Sequence, residues 1–200
     1  MNYLIGYQLV GDAALWSASL SSEISEALGT WKLHESTPPH ITLFRPFEVD
    51  DIASVKGILQ DWSSSYVPLG IFTLSSFGRF DDRVVFADVD VDTDARRAAE
   101  TLKNRLAAIP GMPQEDFPLW RPHVTLARHM SPQEIERIWE YVQDLERPSF
   151  VLPFDAVTLF HRSGERGWSA EETFFRSGDN LAVAELSDDT LAVAEESERA

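Results

Sequence analysis

The 200-residue chain contains no cysteine. It therefore cannot form disulfides, thiolate metal sites or a cysteine nucleophile, and its chemistry must come from histidines, acids and hydroxyl groups. It also lacks both common glycine-rich phosphate-binding motifs, the P-loop and the dinucleotide-binding G-x-G-x-x-G. The sequence thus gives no support to a nucleotide-dependent kinase or a dehydrogenase.

The amino-terminal stretch has no basic segment, and its apolar run is broken. Gly11 and Asp12 interrupt the apolar residues there, so we expect neither a secretory signal nor a membrane span. The absence of these segments predicts a cytoplasmic protein with no membrane partner.

Basic residues are scarce. The chain has 17 Lys and Arg residues against 33 Asp and Glu residues, which gives a net charge of −16. Long nucleic acid is bound mainly by basic groups that release phosphate counterions, so it is not an expected partner. A small or terminal phosphate is compatible with this charge. We interpret residues 1–176 as one domain, residues 177–200 as an acidic, disordered tail, and the protein as a monomer.

Helical and extended segments alternate along the chain. Apolar residues recur at helical spacing in 16–28, 52–62, 95–109 and 135–145. The expected helix caps are Asp12, Asp50, Thr93 and Ser131. Strand character is found in 3–10, 40–45, 67–74, 84–91, 123–128, 150–160 and 172–176. Residues 3–74 read strand, helix, strand, helix, strand, and residues 84–160 repeat that order. This repeat predicts two pseudo-symmetric α+β lobes.

The middle strand of each repeat carries one copy of the same motif. The first motif is His40-Ile-Thr42-Leu, the second is His123-Val-Thr125-Leu, and a proline precedes each histidine. Residues i and i+2 of a strand share one face, so each histidine lies beside its threonine, opposite the apolar residues. The proline-rich loop at 109–122, before the second motif, is either a flap or a plain connector.

Two histidines suit phosphodiester hydrolysis because that reaction needs a base for the attacking water and an acid for the leaving oxygen. With a reference pKa near 6.5, one imidazole can be neutral while the other is protonated. Each threonine can donate a hydrogen bond to a phosphate oxygen. We therefore expect His40 and His123 to be catalytic, with neither a metal nor a cofactor.

Four further residues are candidates for substrate contacts. Arg45, Arg121 and Arg128 flank the motifs and could bind phosphate, although an arginine at a strand end is often simply solvated. Trp120 is a candidate for stacking on a nucleobase, with core packing as the alternative.

The chain resembles the two-histidine phosphoesterase superfamily, in its 2′-5′ RNA ligase-like branch. The resemblance covers about residues 3–176 and includes PPHITLF, FTLSSFGRF and RPHVTLAR. It implies a bilobal α+β fold with antiparallel sheets lining a central cleft and helices outside. His40, Thr42, His123 and Thr125 match the family's catalytic positions. The resemblance leaves acid and base unassigned but favours His123 as base and His40 as acid.

The activity that the resemblance implies is the opening of 2′,3′-cyclic phosphates on nucleotides or short RNA ends to 2′-phosphates. Two alternatives stay open at this stage. One is cleavage or joining of 2′-5′ linkages, and the other is binding of phosphate ends without turnover. Family members that process longer RNA need basic surface near the cleft, so the acidity of this chain favours a small substrate.

Overall fold

The computed structural model describes residues 1–65, 70–113, 120–165 and 167–176. The proposed tail and the middle of the proposed flap, residues 114–119, therefore lie outside the described residues. The described chain forms thirteen elements: β1 (Asn2–Gln8), α1 (Gly11–Leu28), α2 (Leu33–Ser36), β2 (His40–Glu48), α3 (Ile52–Ser64), β3 (Ile71–Phe80), β4 (Val84–Val91), α4 (Thr93–Ala107), β5 (His123–Arg128), α5 (Pro132–Gln143), β6 (Phe150–Pro153), β7 (Ala156–Ser163) and β8 (Gly167–Phe175).

The strands form one eight-stranded sheet in the order β6-β3-β4-β5-β2-β1-β7-β8. Every neighbouring pair is antiparallel. The sheet has two halves of four strands, which meet where β2 lies beside β5. The predicted α+β class and duplicated lobes are confirmed, and the sheets of the two lobes join into one.

The two sequence repeats exchange strands. The first repeat runs β1, α1, β2, α3, β3, and the second runs β4, α4, β5, α5, followed by β6 and β7. However, β3 pairs with β4 of the second repeat, and β7 pairs with β1 of the first. Each half of the sheet is therefore built from both repeats.

The apolar face of the two motif strands forms the centre of the core. Ile41, Leu43, Val124 and Leu126 are all at most 1% exposed. The helices contribute apolar residues to the same cluster, including Leu20, Ile24, Val55, Leu59, Leu102, Leu106, Ile135 and Ile138. Because this face is buried, alternation along each strand turns His and Thr to the opposite face.

Side-chain caps begin three of the helices. Ser131 and Glu134 form the predicted capping box at the start of α5. At α3 and α4 the caps are Asp51 and Asp92, whose carboxylates accept from backbone amides two and three residues later. The predicted caps Asp50 and Thr93 were thus each wrong by one residue. The predicted cap Asp12 is also wrong, since it lies in the first turn of α1, whose N-cap Val10 makes no side-chain cap bond.

The predicted strand at 150–160 is wrong as a single element. Residues 150–153 form β6, which pairs with β3, whereas β7 begins at Ala156 and pairs with β1 and β8. Between them, fully buried Phe154 donates its amide hydrogen to the carbonyl oxygen of Gly70 at 2.8 Å. The apolar run continues through this break because both strands and the connection are packed in the core.

Gly70 allows the chain to pass close to the start of α4, since an added methyl group would overlap the backbone of Ala95. We expect Gly70→Ala to reduce the free energy of unfolding by about 1–3 kcal/mol or more through overpacking. Gly57 is the control, because it is exposed in α3 with nothing within 4 Å of an added methyl group. Gly57→Ala should raise stability by about 1 kcal/mol through helix propensity. Urea unfolding of both variants measures these changes in the free energy of unfolding. Equal changes in the two variants would contradict the predicted overlap at Gly70.

Candidate active site

The antiparallel register of β2 and β5 brings the two motifs together. Ile41 lies directly opposite Val124. The same register places His40 across from Thr125 and Thr42 across from His123, and opposite residues have Cβ atoms about 5 Å apart. Each histidine therefore faces the threonine of the other motif. A recess beside the strands is lined by His40 and Thr125 together.

Both imidazoles are held by the same backbone contact. His40 Nδ1–H donates to the carbonyl oxygen of Pro38 at 2.8 Å, and His123 Nδ1–H donates to that of Arg121 at 2.8 Å. A carbonyl oxygen only accepts, so Nδ1 carries the proton and Nε2 is the basic nitrogen of each neutral ring. The proline before each histidine favours extended geometry at the residue that supplies the carbonyl group.

Buried phenylalanines pack against both rings. The ring centroid of Phe160 lies 5.0 Å from that of His40, and Phe86 lies 4.9 Å from His123. Phe160 and Phe86 are fully buried. Phe80 forms a T-shaped pair with the His123 ring at a centroid distance of 4.9 Å. These contacts restrict the orientation of the imidazoles.

A glycine on a neighbouring strand makes room for each phenylalanine. A methyl group added to Gly6 would lie 2.9 Å from the carbonyl oxygen of Ile41 and 3.2 Å from Phe160. One added to Gly78 would collide with the Phe86 ring. The sequence analysis missed both glycines. A glycine inside a strand is a signal of close approach, and it could have identified them.

The surroundings of His40 disfavour its protonated form. Burial lowers its pKa to about 4, and the positive charge of Arg128 and the neighbouring His123 act in the same direction. The hydrogen bond to Pro38 opposes this shift but does not overcome it. His40 is therefore neutral, with a free Nε2, over most of the pH range.

Burial also lowers the pKa of His123, and the positive charges of Arg121 and Arg128 add to that shift. The hydrogen bond to the Arg121 carbonyl group and the Asp88 carboxylate oppose it. Asp88 lies directly opposite His123 in the pairing of β4 with β5. The two histidines thus have similar geometry but different electrostatic surroundings.

A sequence model of the 2'-5' RNA ligase superfamily matches residues 16–166. The chain belongs to this superfamily. Both motifs lie inside the matched segment, which also contains Gly78, Phe86 and Asp88. The family resemblance found in the sequence is confirmed.

Curated proteins are also similar to this chain over about two thirds of its length. A protein named "Putative phosphoesterase" from Geobacillus sp. (strain WCH70) is 25% identical over 146 residues, covering 70% of this chain and 80% of the relative. A protein of the same name from Bacillus pumilus (strain SAFR-032) is 29% identical over 143 residues, covering 68% of this chain and 78% of the relative.

Solved structures share the fold. The protein TT0787 of Thermus thermophilus superposes with a TM-score of 0.64 at 17% identity, covering 90% of this chain and all of the other. LigT of E. coli, in complex with 3′-AMP, superposes with a TM-score of 0.56 at 16% identity, covering 88% of this chain and 98% of LigT.

The three arginines predicted to bind phosphate lie in different surroundings. Arg128 is half-buried and lines the recess with His40 and Thr125. Arg121 forms an ion pair with Asp88 at 2.8 Å and lies over the Phe86 ring. Arg45 is exposed on β2. Arg128 alone of these three lines the recess, as far as the structure describes the chain. The phosphate-binding roles of all three stay predictions.

Residues of α1 and α2 complete the recess. Ser17 and Ser21 of α1 and Leu33 of α2 form part of its wall, and Ser21 Oγ donates to the Leu126 carbonyl oxygen at 3.1 Å. The sequence analysis missed the four-residue α2 because so short a helix shows no periodicity. The recess beside His40 is thus bounded by helices as well as strands.

The described residues form neither a cluster of metal ligands nor a membrane-spanning helix. Among them, no group of three or more His, Cys, Asp or Glu side chains is arranged to hold a metal ion. None of their helices is both long and apolar enough to cross a membrane.

The electrostatics of the two histidines can be tested by titration. In NMR spectra of the imidazole groups, we expect a pKa of about 4 for His40 and one below 6.5 for His123. Asp88→Asn should lower the pKa of His123 further, because it removes a carboxylate that favours the protonated ring and leaves Arg121 unpaired. The pKa of His40 should change less. A rise in the pKa of His123 in this variant would contradict the assignment.

Proposed function

We propose that the protein hydrolyses 2′,3′-cyclic phosphodiesters, on nucleotides or short RNA ends, to 2′-phosphates. The observation that carries this proposal is the crossed arrangement of the motifs, in which two Nδ1-anchored imidazoles each face a threonine of the other strand. The phosphoesterase name of the relatives and the 3′-AMP complex of LigT support phosphate chemistry for this chain.

In the proposed reaction, the cyclic phosphate lies between the motifs. A water molecule attacks phosphorus while one imidazole takes its proton, and the bond from phosphorus to the 3′-oxygen breaks. The other histidine, which starts the reaction protonated, gives its proton to that oxygen, and the phosphate stays on the 2′-oxygen. The hydroxyl groups of Thr42 and Thr125 donate to the non-bridging oxygens, where charge increases in the transition state. No step calls for a metal ion.

The electrostatics favour His40 as the base and His123 as the acid. His40, with its pKa lowered to about 4, is the ring more readily available as a neutral proton acceptor. Asp88 favours the protonated form of His123, as a general acid requires. The negative charge of bound phosphate raises the pKa of both rings. This assignment reverses the one that the resemblance favours.

The charge of the chain supports a small substrate. With a net charge of −16, electrostatic attraction for a long polyanion is weak, whereas a single phosphate needs only the few donors in the cleft. For the same reason we place cleavage or joining of 2′-5′ linkages in RNA second. Binding without turnover is third, since it does not require two anchored imidazoles.

Each catalytic histidine should be indispensable. We expect His40→Ala and His123→Ala each to reduce kcat for a 2′,3′-cyclic nucleotide by about 10²–10⁴-fold, the usual contribution of general acid or base catalysis. His161→Ala is the matched control, because His161 pairs with Glu171 outside the recess and should leave kcat unchanged. Near-normal turnover in either catalytic variant, with the fold verified by circular dichroism, would refute the proposal.

Phosphorus NMR identifies the reaction directly. The protein is incubated in chelator with a 2′,3′-cyclic nucleotide and, separately, with 2′-5′ oligoadenylate. We expect a 2′-phosphate from the first and no product from the second. Product from the oligoadenylate alone would favour the second function. Saturable binding of the cyclic nucleotide without product would favour the third.

The pH dependence of kcat/KM tests the acid and base assignment. The rate should rise with pH as free His40 loses its proton near pH 4, and fall as His123 loses its proton at a pH below 6.5. The optimum therefore lies on the acidic side of neutrality. In Asp88→Asn the descending limb should move to lower pH while the ascending limb stays in place. Movement of the ascending limb instead would assign the base to His123.

A further inference from the structure

One side chain reaches from the approach to the second motif to the backbone of the first. Trp120 lies three residues before His123, and its Nε1–H donates to the carbonyl oxygen of Thr42 at 3.0 Å. The bond ends on the backbone of a residue that faces the proposed phosphate site. It therefore joins the segment that leads into the second motif to the first motif.

The junction that this bond crosses is narrow. Strands β1 and β2 pair from Asn2 to Gln8, whereas β2 and β5, in the described chain, share the single Cα pair of Ile41 with Val124. A ladder this short leaves the spacing of the strands weakly restrained on either side of the pair. A hydrogen bond between Trp120 and Thr42 restrains it on the side where Thr42 faces His123.

The indole ring is itself held in place by α4. Lys103 is a cation only 2% exposed, and its Nζ lies 4.5 Å from the centroid of the Trp120 ring. The guanidinium of Arg96 lies 5.9 Å from the same centroid. A buried cation is stabilised by the face of an aromatic ring, so these contacts fix the ring while they compensate the charge. Helix α4 also packs against β2.

We propose that Trp120, held by Lys103, is a positioning residue that sets the separation of the two catalytic motifs. This inference rests on the proposed phosphodiesterase activity. It replaces the base-stacking role predicted for Trp120, since the ring already carries two cations and its N–H is engaged by Thr42. The equivalent position before the first motif is Thr37, whose short side chain cannot make the reciprocal contact.

Trp120→Phe removes the N–H donor and keeps an aromatic ring. We expect kcat to fall about tenfold or more, because displacement of catalytic groups by about 1 Å is costly. The fall should be the same for adenosine 2′,3′-cyclic phosphate and for ribose 2′,3′-cyclic phosphate, which has no base, and any rise in KM should also be the same for both substrates. A stacking role would instead raise KM for the adenosine substrate alone, and this result would overturn the inference.

Trp139→Phe is the matched control. Trp139 also has a cation over its ring, Arg79 at 5.4 Å, but it lies on α5 and does not line the recess. This variant should retain wild-type kcat and KM. Lys103→Met is a second variant, which removes the charge and keeps the length of the side chain, and it should lower kcat in the same direction. Wild-type kcat in both Trp120→Phe and Lys103→Met would refute the positioning role.

A binding measurement separates this inference from the proposed activity. Inorganic phosphate needs donors from both motifs, so its Kd should rise about tenfold in Trp120→Phe, the change expected on loss of one hydrogen bond, and stay constant in Trp139→Phe. If the wild-type protein binds phosphate but turns over no cyclic nucleotide, the proposed activity fails while this difference still supports positioning. An unchanged Kd in Trp120→Phe counts against positioning whatever the activity.

Discussion

Strands β2 and β5 lie side by side at Ile41 and Val124, and this contact joins the two halves of the sheet. Burial of these two side chains on the core face fixes which face of each strand carries histidine and threonine. A shift of one residue in either strand would turn its apolar side chains into the cleft and its catalytic pair into the core. The large free-energy difference between these registers protects the site. The geometry of the cleft is thus a consequence of how the core packs.

Much of this arrangement could be predicted because it depends on local patterns. The alternation in residues 40–43 and 123–126 specifies the faces of the motif strands, and Ser131 with Glu134 specifies the start of α5. The repeated order of strands and helices predicts two halves with one motif each. The break at Phe154 could not be predicted from the apolar run, because it depends on which distant strands β6 and β7 join.

The glycine, phenylalanine and carboxylate contacts of the two histidines were missed because they depend on pairing between strands. Gly6 and Phe160 are far apart in sequence, and they meet only because β1 lies between β2 and β7. The position of Asp88 opposite His123 likewise follows from the pairing of β4 with β5. This carboxylate makes the two histidines electrostatically unequal although their backbone contacts are equal. Local sequence was therefore enough to identify the candidate catalytic histidines. It was not enough to propose which of them is the acid and which the base.

The exchange of strands between the repeats also determines how the protein can fold. Tyr3 pairs with His161, so β1 is not covered on that side until almost the whole described chain is available. Contacts between such distant residues carry a large loop-closure entropy and slow the folding of a domain. A chain that stops after α5 would leave β1 as an open, apolar sheet edge, and such edges promote aggregation. Neither repeat is thus a self-sufficient folding unit, and β1 gains its second neighbour only once β7 has been synthesised.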